Sequence, residues 1–312
     1  MPDVYNFVGG PLMNKLILLL CVLFSSMALV AQSAREVTYR GADLAPQNIV
    51  PTFEHGYLAV YDADEKINIY APDGSFAFSI RPSHGGHVFS VAMDTDGAVA
   101  VTNEHSAYDE SSGIVVLDRA GIEKAYFTTG DFRPTHICFA SDHSIWAAGL
   151  QQREPANEDP DFLILRHYSR DGKELGAYLP RSSFEPSQKN TQPAGAALGH
   201  WLLRVANNRV GIHVSFQGLI EGVSLWVEIG PDGKELGRWS IPSTFEGYPA
   251  AFTEGGLVYA QSKSGVGLLN QGAGQWNLIA APSDGKLIGA DGDDLVFWLR
   301  GQGRLRYVAS SL

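Results

Sequence analysis

An all-β ring of six four-stranded blades, a six-bladed β-propeller, is the fold that three features of this sequence predict. A tight glycine turn recurs at blade-sized intervals. Strand-like segments flank every turn. A spare strand at the start matches a strand missing at the end. The turns are Pro72–Ser75, Arg119–Ile122, Arg170–Lys173 and Pro231–Lys234, and their glycines, Gly74, Gly121, Gly172 and Gly233, are separated by 47, 51 and 61 residues. Glycine suits such turns because it tolerates the positive φ that a tight hairpin needs. Gly272, in Asn270–Gly274, is the candidate for a fifth turn.

Strand-like runs precede each turn at Ile67–Tyr70, Ile114–Leu117, Phe162–Tyr168, Val223–Ile229 and Val266–Leu269. Others follow it at Phe76–Ile80, Ala125–Thr128, Leu175–Leu179, Leu236–Ile241 and Trp276–Ala280. Runs of adjacent apolar residues interrupt the alternation, as expected for strands covered on both faces. Further upstream in each unit a strand follows its own turn, as in Tyr57–Tyr61 after Glu54–Gly56 and Ala98–Val101 after Thr95–Gly97. Residues 35–312 therefore divide into six units of about 46 residues, the size of one four-stranded blade. The last unit supplies three strands, Leu287–Ala290, Leu295–Leu299 and Leu305–Ala309, and then the chain ends. Glu36–Arg40 is the strand left over, so the mature N-terminus is expected to close the last blade.

Residues 1–34 are expected to lie outside that fold. Asn14-Lys15 opens a short positive region, Leu16–Val30 is a mostly apolar run of 15 residues, and Ala31–Ala34 offers a small-residue cleavage site. This reads as a signal peptide, with residues 1–12 as an upstream over-extension of the start. The apolar run is short for a membrane span, which needs about 20 residues, so no stable membrane insertion is expected once the leader is removed. A periplasmic or extracellular location follows. Leader removal takes Cys21 and leaves Cys138 alone, unable to form an internal disulfide. Cys138 reads as a small buried apolar residue in a strand, with a reactive thiol as the sharper alternative.

The chain has 312 residues, 45% of them hydrophobic and 18% charged, and a formal net charge of -11. That composition supports a large core, and the negative charge argues against nucleic acid as a partner. P-loop, G-x-S-x-G, C-x-x-C and H-E-x-x-H motifs are absent. Asp94-Thr95-Asp96-Gly97 and Asp291-Gly292-Asp293-Asp294 place carboxylates at alternate positions. They suit either strand turns or a calcium ion.

The stretches Ala92–Gly97 leading into Ala98–Val101, and Arg133–Ile137 leading into Ser144–Ala147, resemble six-bladed propellers of the NHL-repeat and TolB-like kind. The resemblance covers residues 36–312 and is a repeat pattern without a catalytic signature. It implies a fold that hosts binding proteins, lactonases and lyases alike. Similar lactonases carry Glu, Asn and Asp on the inner strands; the equivalent level here is Ile49, Ser90, His136, Trp201, Pro249 and Leu287, where His136 is the one plausible ligand.

In such a ring the between-blade loops and the loops joining second to third strands share one face. The richest polar cluster there is His84, His87, Glu104 and His105, joined by Arg133 and His136. Imidazoles with a carboxylate can hold zinc, bind a partner or move protons, but loop histidines are also commonly just solvated. No metal or cofactor is assigned from this spacing. Two long third-blade insertions, Gln151–Asp161 and Phe184–Gly195, are expected over the same face, as recognition loops or as disordered segments. The functional expectation is a binding module for a protein or small-molecule ligand. The alternative is a funnel-type hydrolase or lyase with its site on the loop face.

Overall fold

The computed structural model describes residues 35–41, 51–61, 66–81, 84, 87–103, 112–152, 159, 161–184, 203–216, 223–279, 282, 284–299 and 301–310, without the side chains of 215, 216, 223 and 246–249. The chain divides into two compact units, Met1–Arg35 and Glu36–Leu312, and the architecture below is that of the second. Among the described residues no helix is long and apolar enough to cross a membrane.

The ring begins with β1 (Arg35–Thr38), which belongs to the last blade. Blade 1 is β2 (Thr52–Glu54), β3 (Tyr57–Tyr61), β4 (Ile67–Tyr70) and β5 (Phe76–Ile80). Blade 2 is β6 (Val91–Met93), β7 (Val99–Asn103), β8 (Gly113–Leu117) and β9 (Glu123–Thr128). Blade 3 is β10 (Phe132–Phe139), β11 (Ile145–Gln151), β12 (Leu163–Tyr168) and β13 (Glu174–Pro180). Blade 4 is β14 (Leu203–Ala206), β15 (Arg209–Phe216), β16 (Val223–Ile229) and β17 (Glu235–Ser240). Blade 5 is β18 (Phe245–Phe252), β19 (Val258–Ser262), β20 (Gly265–Asn270) and β21 (Gln275–Ile279). Blade 6 takes β22 (Lys286–Asp291), β23 (Asp294–Leu299) and β24 (Arg304–Ala309), with β1 hydrogen-bonded outside β24. The first strands touch in the cyclic order β2, β6, β10, β14, β18, β22 and back to β2, so they line the axis.

Antiparallel order within each blade puts the hairpins after first and third strands on one end of the ring, the turn face. The connections after second and fourth strands lie on the other, the loop face. The apolar core is a set of seams between blades. Ile69, Met93, Val99 and Val115 fill the seam of blades 1 and 2, and Trp226, Phe252, Val258 and Leu269 that of blades 4 and 5.

The recurring turns have a second job besides reversing the chain. Gly172 and Gly233 have φ of 94° and 79°, a region that side chains resist. A Cβ on Gly172 would lie 2.4 Å from Cγ of Phe127 in blade 2, and one on Gly233 would lie 2.1 Å from Cδ1 of Tyr178 in blade 3. Gly121 likewise sits against Phe78 on the outer strand of blade 1, whereas Gly74 sits against the Thr38 backbone and Val37 of β1, the outer strand of blade 6. Acidic side chains lock these turns: Asp73, just before Gly74, accepts from the Ser75 amide at 2.9 Å, and Asp118, three residues before Gly121, from the Ile122 amide at 3.0 Å. The Ser75 hydroxyl and then its amide hold the Asp73 carboxyl below the ordinary carboxylate range, and the Ile122 amide and then Lys124 do the same for Asp118.

Two expectations need correction. In blade 5 the turn glycine with positive φ is Gly274, at 65°, not Gly272. Asn270 Oδ1 accepts from the Ala273 amide at 3.1 Å, which carries the turn further before the chain reverses. Arg133 was expected on a loop but lies within β10, where it pairs with Leu150; Pro134 is in the strand too, with a bulge between Pro134 and His136. Cys138 is buried, and burial pushes its thiol up, which leaves it inert.

The closing strand is anchored by charge and by one buried ring. Glu36 accepts from Arg304 Nη1 and Arg306 Nε, each at 2.9 Å. Tyr39 is buried at the seam of blades 6 and 1. Its amide donates to Gly303 O at 2.7 Å, its hydroxyl to Gly56 O at 3.1 Å, and its ring meets Tyr70 edge-on at 6.1 Å. Tyr39→Ala is expected to cost about 3 kcal/mol or more, and deletion of residues 35–40 to cost more and to promote aggregation through the bared edge of β24. Thermal denaturation checks both; an unchanged midpoint for the deletion contradicts this closure.

Candidate functional site

The first-strand hairpins bring His55, Thr95, Asp142, Asn207, Glu254 and Asp291 to the turn face around the axis. Beneath them the channel is crossed by an ion pair. Arg204 of β14 places Nη1 2.7 Å from Glu54 Oε1 at the end of β2, and donates from Nη2 to Phe53 O at 3.4 Å. Blades 1 and 4 are opposite each other in a ring of six, so this contact spans the bore. Glu54 Oε2 also accepts from the Met93 amide at 2.5 Å. Burial pushes the Glu54 carboxyl above its ordinary range, against the pull of Arg204, His55 and that amide.

Among the described residues two concavities open on this face. A small pit of about 80 Å³ has Glu54 and Arg204 in its lining, with Glu254 and Asp291 beside them. A larger cleft of about 590 Å³ extends between blades 3 and 4, and the two share His55, Phe139, Val205, Ala206 and Glu254. The cleft volume is that of a small-molecule site. Its apolar lining includes Phe139, Trp146, Val210 and Pro231, and its polar lining Asp142, Ser144, His167, Asn207 and Arg209.

The polar groups of the cleft form an ordered chain. Ser144 Oγ donates to Asp142 Oδ1 at 2.5 Å, and the Ser144 amide bonds the same oxygen at 3.1 Å. A serine hydroxyl donates once, so the 2.7 Å contact between His167 Nε2 and Ser144 Oγ has the imidazole as donor. The His167 ring lies flat on Trp146, centroids 4.2 Å apart and 9° from parallel. Burial depresses its pKa, against the opposing charge of Asp142. Asp142 is held below its ordinary range, first by the Ser144 hydroxyl. Arg209 Nη1 sits 3.0 Å from Glu228, whose other oxygen accepts from Trp226 Nε1 at 2.9 Å.

Of the residues expected on the loop face, His84, His87, Arg133 and His136 are among the described residues. His84 is exposed; its Nε2 lies 3.1 Å from Glu123 Oε2 and its ring stacks on Tyr126 at 3.9 Å, against β9, the outermost strand of blade 2. His87 is exposed. Glu104 and His105 lie outside the described residues, as do most positions of the two third-blade insertions. Arg133 has its guanidinium 5.4 Å from the Phe89 ring centroid, and burial lowers its pKa. His136 is on the innermost strand, with Nδ1 3.0 Å from Thr135 Oγ1. Burial, then the Arg204 charge, lower its imidazole to about 3.

Among the described residues one carboxylate–imidazole group converges as metal ligands do: Asp94, Asp96 and His143 have ligand atoms within 4.8 Å of one another. A cation is already supplied there. Arg170 Nη1 stands 2.7 Å from Asp96 Oδ2 and 3.7 Å from Asp94 Oδ2, and His143 Nδ1 is 2.8 Å from Asp94 Oδ2. Burial raises the Asp96 carboxyl, but Arg170 and the Ala98 amide together hold it below its ordinary range. The Asp94–Gly97 motif therefore serves its turn and ties blade 2 to blade 3. The Glu54–Arg204 pair had no counterpart in the sequence reading, where Glu54 was a turn residue and Arg204 was not singled out.

No family model and no curated protein matches the chain. Among solved structures, virginiamycin B lyase from Staphylococcus aureus is 16% identical, with a TM-score of 0.45 over 88% of this chain and 98% of that one. A streptogramin B lyase is 14% identical, with a TM-score of 0.49 over 89% and 88% of the two chains. A protein of unknown function from Bacteroides caccae is 14% identical, with a TM-score of 0.49 over 78% and 82%. These are distant likenesses in chain path, and function does not travel with them.

The depressed pKa of His136 carries a consequence for stability. Its folded-state imidazole is held to about 3 while the unfolded group titrates near 6.5. The unfolded chain therefore takes up the proton first as pH falls, and stability is lost from about pH 6.5 downward, by at most about 1.4 kcal/mol per pH unit. His136→Asn is expected to flatten that part of the urea-denaturation profile between pH 7 and pH 4. Identical pH profiles for the two proteins would contradict a buried neutral imidazole.

Proposed function

We propose that the protein is an exported propeller that binds a ligand or partner, with the turn-face cleft as the seat of binding. The observation that carries this reading is the cleft of about 590 Å³, with apolar walls and several convergent polar groups at the channel mouth. The polar groups point to recognition more than to catalysis. Ser144 does resemble a nucleophile beside a base, but its proton is directed to Asp142. The exposed turn at Ser75 repeats the arrangement without any histidine, Ser75 Oγ donating to Asp73 Oδ1 at 2.6 Å. The Asp-x-Ser unit is thus a turn device. The other described Ser–His contact, Ser224 with His213, is buried inside blade 4.

A funnel-type hydrolase or lyase remains the rival reading, and one observation favours it. His136 is a neutral imidazole on the innermost strand, chemically able to accept a proton. Export rests on the leader at residues 13–34.

One preparation tests these readings. Expressed with its own leader in a Gram-negative host, the protein is expected outside the cytoplasm with its first residue near Ala34 or Arg35. A soluble product that retains Met13–Val30 would refute export. A fragment screen by ligand-observed NMR is expected to give binders that Ser141→Trp, a rim substitution that fills the cleft, removes. Binders that persist in that variant, or none at all, would reject the cleft. Turnover of simple esters or lactones that disappears in His136→Ala would shift the reading to the enzyme.

A further inference from the structure

We infer that the ligand of the turn-face cleft is a small organic cation, an ammonium group on an apolar body. This rests on the binding reading above and adds a chemical class to it. The argument is a charge balance around the mouth. Each guanidinium lining the pit or the cleft already has its own carboxylate: Arg204 is paired with Glu54 at 2.7 Å, and Arg209 with Glu228 at 3.0 Å. Three lining carboxylates, those of Asp142, Glu254 and Asp291, have no Lys or Arg within 4.0 Å among the described residues.

The His167 contact does not reverse this balance. His167 is kept toward its neutral form by burial and donates to Ser144, so it brings little positive charge to oppose a cation. Asp142 is held below its ordinary range by its own turn, so it stays ionised. Glu254 stands where the pit and the cleft share a wall, and Asp291 stands across the pit from the cleft. Carboxylates of one sign around a concave, low-dielectric mouth focus their field into it. The wall they face is apolar, with Phe139, Val205 and Pro231. An inorganic ion has no use for that wall, and a neutral apolar molecule has none for the carboxylates. An amine carrying a hydrocarbon body uses both.

The test titrates benzylammonium chloride, with benzyl alcohol and benzoate as probes of similar shape, by ligand-observed NMR at low ionic strength. Benzylammonium is expected to saturate, with tighter binding than the alcohol and no binding of benzoate, and added salt is expected to weaken it. Glu254→Gln and Asp142→Asn are each expected to lower its affinity about two- to fivefold. The asparagine keeps an acceptor for the Ser144 turn, and Glu254 is exposed, so a folding failure in one variant leaves the other as the test. If benzyl alcohol or benzoate binds as tightly as benzylammonium, and Ser141→Trp abolishes that binding, the cation class is wrong while the cleft stands as a binding site. If benzylammonium fails to saturate, or binds the two carboxylate variants as well as the parent, the inference is overturned.

Discussion

Glu54 and Arg204 meet across the bore of the ring, and the layout of the molecule follows from that contact. Blades 1 and 4 are opposite, so the pair is a strut over a span that backbone hydrogen bonds do not cross. Both residues also line the turn-face pit, so they place a charged pair in its wall. Taking both groups out of water is expensive, and a buried ion pair is poor evidence of net stability compared with an apolar contact of the same shape. The cost is offset by further bonds: the Met93 amide to Glu54, and Arg204 to the carbonyls of Phe53 and Leu203. The pair is better understood as a device that fixes how the two halves of the ring face each other.

The ring itself was legible because its causes are local. Asp73, Gly74 and Gly121 announce hairpins by residue type, and the spacing of the turns gives the size of a blade. The unpaired strand at Glu36–Arg40 was legible by subtraction, and the structure places Glu36 between Arg304 and Arg306. What the turns do across the seams was not legible. Gly172 is required by the ring of Phe127, 45 residues earlier, as well as by its own φ. Gly274 replaced the expected Gly272 because Asn270 carries the turn on by a side-chain bond that glycine spacing does not encode. Arg133 was assigned to the between-blade loop Gly130–Pro134, yet β10 runs through Arg133 and Pro134, with a bulge just after them.

The site was less legible than the fold, for the same reason at longer range. Glu54 and Arg204 are 150 positions apart, and no periodic signal links them. His84 is drawn to Glu123 and Tyr126, residues of an outer strand whose approach depends on how two blades pack. Reasoning from loop length favoured the loop face, most of whose long connections lie outside the described residues; the concavities among the described residues open on the turn face. There the hairpins are short, and residues such as Asp142 serve the turn and the cleft at once. One signal was in reach: the hairpins after the first strands carry Glu54, Asp94, Asp142, Glu254 and Asp291, at least one acidic residue in five of six blades, all on the end of the ring where the mouth lies.

The most direct test of the strut is a double-mutant cycle on stability, with Glu54→Leu, Arg204→Met and both together, read by urea denaturation. Each single change leaves a buried charge without its partner and is expected to cost about 3–5 kcal/mol. The double change removes both charges and is expected to recover most of that loss, giving a large coupling energy. Single variants within about 0.5 kcal/mol of the parent, or losses that simply add in the double variant, would show that the ring does not depend on this contact.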